Sequence, residues 1–207
     1  MGNSMYVDAK AHYDMLIDEG NDPVHDGEAL KAYMDKWDGG QFIDDLRLSG
    51  DETVLEIGVG TGRLATKVCD RCKVFYGIDL SPKTIETAKK NLSRYKNIHL
   101  ICDDFLRWAS GTKFDVIYSS LTFLHIEDKV GAISKIHTLL NESGRFVLSI
   151  EKSQEHELIC GERKVKTYPD RAEETKRLLC ESGFAIVKQY ETEFANIFVA
   201  VKRRQDA

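Results

Sequence analysis

Val54-Leu55-Glu56-Ile57-Gly58-Val59-Gly60-Thr61-Gly62 decides how this chain is read. An apolar run enters a turn with glycine at every second position, and a helix over Arg63 to Arg71 is expected to follow. Glycine lets a backbone turn sharply and lets a ligand approach without meeting a Cβ. The spacing Glu-x-Gly-x-Gly-x-Gly departs from the Gly-x-Gly-x-x-Gly that holds a dinucleotide pyrophosphate. A close-approach loop without that spacing points to a nucleoside ligand lacking phosphates.

Downstream residues extend the pattern. A second apolar run, Lys73 to Ile78, ends in Asp79, 17 positions after Gly62. There a doubly wound fold places the carboxylate that binds a ribose diol. A carboxylate only accepts hydrogen bonds, so it suits two adjacent hydroxyl donors. The third run, Asn97 to Cys102, ends in Asp103-Asp104-Phe105, placed to meet a purine by an amine contact and a ring face. The fourth, Phe114 to Tyr118, opens into Ser119-Ser120-Leu121-Thr122-Phe123-Leu124-His125. All four ends fall on the carboxyl edge, where open α/β sheets bind ligands.

With these residues in hand, the chain resembles the class I S-adenosylmethionine-dependent methyltransferases, in particular the small type 11/12 methyltransferase domains. VLEIGVGTGRLA (54–65), GIDLSPKTIETAKKNL (77–92), ICDDFL (101–106), FDVIYSSLTFLHI (114–126) and LLNESGRFVLSI (139–150) carry the resemblance. Cys102 departs from it, standing where the family usually has glycine. The resemblance implies S-adenosylmethionine as cofactor, with Glu56, Gly58, Gly60, Gly62, Asp79, Leu80, Asp103, Asp104, Phe105 and Ser119 as the residues around it.

The architecture expected is α/β: a doubly wound, seven-stranded, Rossmann-like sheet of order 3-2-1-4-5-7-6. From 53 to 150 strands and helices alternate, the signature of a parallel sheet. After a helix over Arg171 to Ser182, the runs Phe184 to Gln189 and Ile197 to Val201 are separated by too few residues for a helical crossover. They are expected to pair antiparallel, unlike the last strands of nicotinamide-binding domains. One domain is expected over 1–207, with residues 1–52 as a helical cap and 53–207 as the core. Asp26 reads as the N-cap of the second cap helix, and 151–169 as a hairpin near the mouth of the site.

Composition narrows the function. A net charge of −5 lacks the basic footprint of nucleic-acid binders. The short basic runs Arg163-Lys164-Val165-Lys166 and Lys202-Arg203-Arg204 read as surface. The Asn-Pro-Pro-aromatic signature of many base amino-methylases is absent after the fourth strand, so a small-molecule acceptor is expected and nucleic acid is not. The first thirty residues hold no continuous apolar stretch, which gives neither a signal peptide nor a membrane span and suggests a cytoplasmic chain. Five cysteines without a framework spacing are expected to be reduced, and Cys69-x-x-Cys72 lacks the second pair of a zinc site, so no metal is expected.

His125 is the candidate general base, against a packing role beside Glu127-Asp128. Tyr13, His25, Tyr33 and Trp37 are candidates for lid contacts to substrate. Competing readings are a non-catalytic module that binds the cofactor and an NAD-dependent oxidoreductase. The sequence leaves the acceptor and the oligomeric state open.

Overall fold

The computed structural model describes residues 5–203; Arg204, in the last basic run, lies outside them. The central sheet contains β2 (Thr53–Ile57), β3 (Val74–Asp79), β4 (Ile98–Cys102), β5 (Phe114–Ser119), β6 (Leu140–Glu151), β9 (Phe184–Glu191) and β10 (Ala195–Lys202). Its order is β4-β3-β2-β5-β6-β10-β9. Counted from β2, this is the 3-2-1-4-5-7-6 order expected. Parallel pairing runs from β4 to β6, and β10 is antiparallel to both β6 and β9.

Side chains alternate across this sheet, so each face buries its own core. On one face Val54, Phe75, Val116, Tyr118, Val147 and Ile197 pack together. Over them lie α3 (Gly39–Asp44), α4 (Ala65–Val68) and Leu92 after α5 (Pro82–Asn91). On the other, Leu55, Ile57, Ile117, Phe146, Leu148 and Phe198 meet α6 (Lys129–Leu139) and α7 (Ala172–Glu181). Ser81 caps α5 by accepting from Thr84 N, with Pro82 at the first turn.

The amino-terminal segment differs from an all-helical cap. Met5–Val7 forms β1, parallel to β8 (Arg163–Lys166), which pairs antiparallel with β7 (Glu157–Cys160). This second sheet, β1-β8-β7, includes the hairpin expected within 151–169. A three-residue strand is too short to show a period of two, and its partner lies far along the chain. The helices α1 (Ala9–Asp18) and α2 (Glu28–Met34) follow. Gly27, not Asp26, stands at the N-cap of α2, and no side chain caps it.

The helix expected over 63–71 is also shorter. α4 has four residues and gives way to a 3₁₀ turn at Cys69–Arg71. Thr66 N donates to Gly62 O, whereas Lys67 N donates to Leu64 O, so the ladder tightens within one turn. No helix among the described residues is long and apolar enough to cross a membrane. Cys69, Cys72, Cys102, Cys160 and Cys180 are all free thiols.

Candidate active site

β2 runs into Gly58, where the chain reverses: Gly58 N and Val59 N both donate to Ile78 O, at 2.8 and 3.1 Å. Gly58 has φ +77°, and a Cβ there would lie 1.9 Å from Thr122 Oγ1. Gly60 has φ +56°, and a Cβ there would meet no atom within 4 Å, so its backbone faces open space. Its N–H donates to Asp79 Oδ2 at 3.0 Å, and Ser81 N donates to Oδ1 at 3.0 Å. The carboxylate at the end of β3 is thus oriented by two backbone donors. A carboxylate has about four acceptor sites, so Asp79 retains capacity beyond these bonds. Burial raises the Asp79 pKa, and the N–H groups of Ser81 and Gly60 oppose that rise.

Beneath the loop lies a cavity of about 900 Å³, within the range of roughly 300–1,000 Å³ typical of ligand sites. Glu56, Gly58, Gly60, Asp79 and Leu80 line it from the β2 and β3 ends, and Asp103, Asp104 and Phe105 from the β4 end. Leu121, Thr122 and His125 line it from the segment after β5. Leu121 has φ +56°, a left-handed conformation that a branched aliphatic side chain rarely adopts. The cap contributes Tyr13, Asp26, Leu30 and Met34, and the strand exit after β8 contributes Tyr168.

Glu56 is buried, with Oε2 accepting from Tyr118 OH at 2.8 Å. Burial pushes its carboxyl up to about 8, against the opposing Tyr118 hydrogen bond and the Arg63 charge. Tyr13 OH and His125 Nε2 lie 2.9 Å apart, joining α1 to the loop after β5. Burial lowers the His125 pKa to about 4, so the ring is neutral at neutral pH. Burial likewise raises Tyr13 well above an ordinary phenol.

Several named candidates lie elsewhere. Ser119 is buried, its hydroxyl donating to Ile57 O at 2.9 Å; its neighbour Ser120 lines the cavity instead. Gly62 does not line the cavity either, and a Cβ there would meet Leu92 at 3.1 Å. His25 Nε2 lies 3.1 Å from Asn91 Oδ1 on the exposed side. Trp37 donates from Nε1 to Glu151 at 2.9 Å and packs with Tyr33 and Phe194. His25, Tyr33 and Trp37 are therefore outside the lining. Leu30 and Met34 of α2 line the cavity, whereas Tyr33 and Trp37 pack on Phe194 in the β9–β10 turn.

The sequence reading missed Asp38 and Arg63. Asp38 is buried and accepts from Arg63 Nη1 at 3.0 Å, from Arg63 Nη2 at 2.5 Å and from Ser120 Oγ at 2.8 Å. It also accepts from Gly39 N as N-cap of α3. One carboxylate thereby ties the cap to the glycine loop and to the β5 exit. An Asp ahead of a Gly-Gly pair is a helix-start signal, but nothing in it names Arg63 as partner.

With the geometry established, known proteins can be compared. A methyltransferase-domain family model matches residues 48–197, and the chain belongs to that family. An uncharacterized methyltransferase of Anoxybacillus flavithermus is 35% identical over 155 residues, 71% of either chain. A malonyl-acyl-carrier-protein O-methyltransferase of Ilyobacter polytropus is 32% identical over 99 residues, which cover 46% of this chain and only 37% of that protein. Among solved structures, magnesium protoporphyrin IX methyltransferase from Synechocystis with bound S-adenosylmethionine superposes with a TM-score of 0.73. It is 17% identical, covering 94% of this chain and 95% of the other. An N-methyltransferase from Bradyrhizobium japonicum in complex with S-adenosylhomocysteine gives 0.69 at 21% identity, covering 93% and 98%. At such identities the likeness is one of fold.

Proposed function

We propose that the chain binds S-adenosylmethionine beneath the glycine loop and transfers its methyl group to a small-molecule acceptor by in-line displacement. The observation that carries this reading is the convergence of Gly60, Asp79 and Asp103, from three successive strand ends, on one cavity that also reaches the cap. The residues fit the cofactor. The open space over Gly60 admits a close neighbour. The acceptor sites left on Asp79 suit a ribose diol. Asp103 and Phe105 both line the cavity from the β4 end and offer an acceptor and an apolar ring to a purine. Glu56, at the foot of the loop, is a buried carboxyl that a neighbouring cationic head group would favour in its ionised form.

When bound, the sulfonium supplies an activated methyl whose leaving group is a neutral thioether. The protein's work is then to hold the acceptor in line and exclude water, which can lower a barrier by about 7–11 kcal/mol. Tyr13 of the cap and Tyr168 after β8 line the cavity, and Tyr13 hydrogen-bonds His125 at its wall. His125 is unprotonated at neutral pH and is proposed as the group that receives a proton from the acceptor, a weak base because burial holds its pKa near 4. A nicotinamide dinucleotide fits less well, because the glycine spacing lacks the pyrophosphate pattern.

The acceptor class is tested with methyl-labelled S-adenosylmethionine and a cell extract separated into metabolite, protein and nucleic-acid fractions. Label is expected in the metabolite fraction. Label confined to either macromolecular fraction would contradict the small-molecule reading.

A further inference from the structure

Three non-glycine residues among those described have positive φ: Arg47 at +53°, Leu121 at +56° and Ser143 at +63°. Arg47 and Ser143 are exposed polar residues. Leu121 is half-buried, lines the cavity and belongs to neither apolar core of the sheet. A left-handed leucine brings its Cβ against the following carbonyl oxygen, and packing within neither core offsets that cost.

The conformation is imposed from both sides. Ser120 Oγ donates to the buried Asp38 at 2.8 Å, and Ser120 O accepts from Thr122 Oγ1 at 3.1 Å. Thr122 O in turn accepts from His125 N at 2.9 Å. Thr122 Oγ1 lies 1.9 Å from the place a Cβ on Gly58 would take, so the glycine loop admits the threonine only because it has none there. A strained residue persists where its surroundings over-determine it, and such residues cluster at ligand sites.

Leu121 lies beyond the residues assigned to the cofactor. Those stand at the ends of β4, β3 and β2, and β5 is the next strand in the sheet. From β5 onward the apolar lining is Leu121 and Ile126 with Tyr168, and the cap adds Leu30 and Met34. The hydroxyls here donate within the protein: Ser120 to Asp38, Thr122 to Ser120 O, and Tyr168 to Glu127 at 3.0 Å. Glu127, Asp128 and Lys166 are exposed, so water solvates their charges.

A polyol entering this end loses its water and meets hydroxyls whose protons are already placed. A carbon frame gives up no hydrogen bond and takes apolar surface out of water. We infer that Leu121 is a specificity-determining residue: its strained backbone is held so that its side chain packs on an apolar carbon frame of the methyl acceptor. This rests on the methyl-transfer reading above.

The test is calorimetric titration of the full chain saturated with S-adenosylhomocysteine, using 2-naphthol as an apolar probe and myo-inositol as a polyol. Saturable binding is expected for 2-naphthol and not for myo-inositol. Asparagine and glycine both tolerate a left-handed backbone, so Leu121→Asn and Leu121→Gly remove the apolar side chain without adding strain. Each is expected to bind 2-naphthol at least about tenfold more weakly, while S-adenosylhomocysteine binds within about twofold of its wild-type affinity. Unchanged affinity for 2-naphthol in a folded variant would overturn the inference. Equal weakening of 2-naphthol and S-adenosylhomocysteine would overturn it too, by showing that Leu121 only shapes the loop, as would failure of both variants to fold. A wild type that binds myo-inositol at least as tightly as 2-naphthol, or binds neither, would also overturn it. Failure of S-adenosylhomocysteine itself to bind the wild type would instead remove the methyl-transfer reading, and this inference with it.

Discussion

The hydroxyl of Tyr13 and Nε2 of His125 lie 2.9 Å apart, with their rings edge to face at 5.4 Å. Through this pair the first cap helix meets the loop after β5 at the cavity wall. Tyr13→Phe keeps the ring contact and removes the hydrogen bond. Loss of one such bond costs about 1 kcal/mol, so denaturant unfolding should show a small shift. Turnover should fall by a larger factor than stability alone explains. Equal losses in Tyr13→Phe and in a remote surface control of matched stability would show that the pair only packs.

The Asp38–Arg63 pair is the main electrostatic joint between cap and loop. Arg63→Met leaves the Asp38 carboxylate buried without its countercharge. Breaking such a pair costs about 3–5 kcal/mol, a drop on the order of 10 °C in Tm for a chain of this size. Thermal denaturation checks it. A Tm unchanged by Arg63→Met would mean that Gly39 N and Ser120 alone satisfy Asp38.

Gly58 and Gly60 should separate folding from binding. A Cβ at Gly58 collides with Thr122, so Gly58→Ala is expected to disturb the loop and lower stability markedly. Gly60 has open space around it, and Gly60→Ala costs only the left-handed backbone, about 1–2 kcal/mol. Gly60→Ala should therefore fold and yet lose affinity for S-adenosylhomocysteine. Wild-type affinity in a folded Gly60→Ala would place the ligand away from this backbone.

Glu56 makes stability depend on pH with a definite sign. Its carboxyl is held at about 8 by burial against 4.5 in the unfolded chain. Between those values the folded state holds a proton that the unfolded state has lost, so this group's contribution falls as pH rises through the window. His125, lowered from 6.5 to about 4, has the opposite slope below 6.5: its contribution is full above that pH and is lost as pH falls toward 4. Glu56→Gln should abolish the first effect only. The Tm of Glu56→Gln relative to wild type is expected to rise from about pH 5 to about pH 8 and to level off above; a constant difference would show that Glu56 ionises normally.

Strand ends were legible in the sequence and side-chain directions were not. Continuous apolar runs, the left-handed glycines and the short link before Ile197 are local features, and they specify the central sheet and its closing hairpin. The same locality explains the omissions. β1 pairs with β8 across most of the chain, and three residues carry no readable period. Asp38, Arg63 and Ser120 are ordinary polar residues until the fold brings them within hydrogen-bonding distance. Ser119 ends β5 with its hydroxyl turned to Ile57 O, and only the structure distinguishes it from Ser120. Trp37 follows Leu30 and Met34 at helical spacing, but that spacing does not say which neighbour each side chain faces.

The most direct measurement is calorimetric titration with S-adenosylhomocysteine, on wild type and on Asp79→Ala, with NADH in parallel. The account predicts saturable one-to-one binding by the wild type, at least about tenfold weaker binding by the variant, and none of NADH. Binding of NADH in place of S-adenosylhomocysteine, or an Asp79→Ala variant that binds S-adenosylhomocysteine as the wild type does, would contradict it.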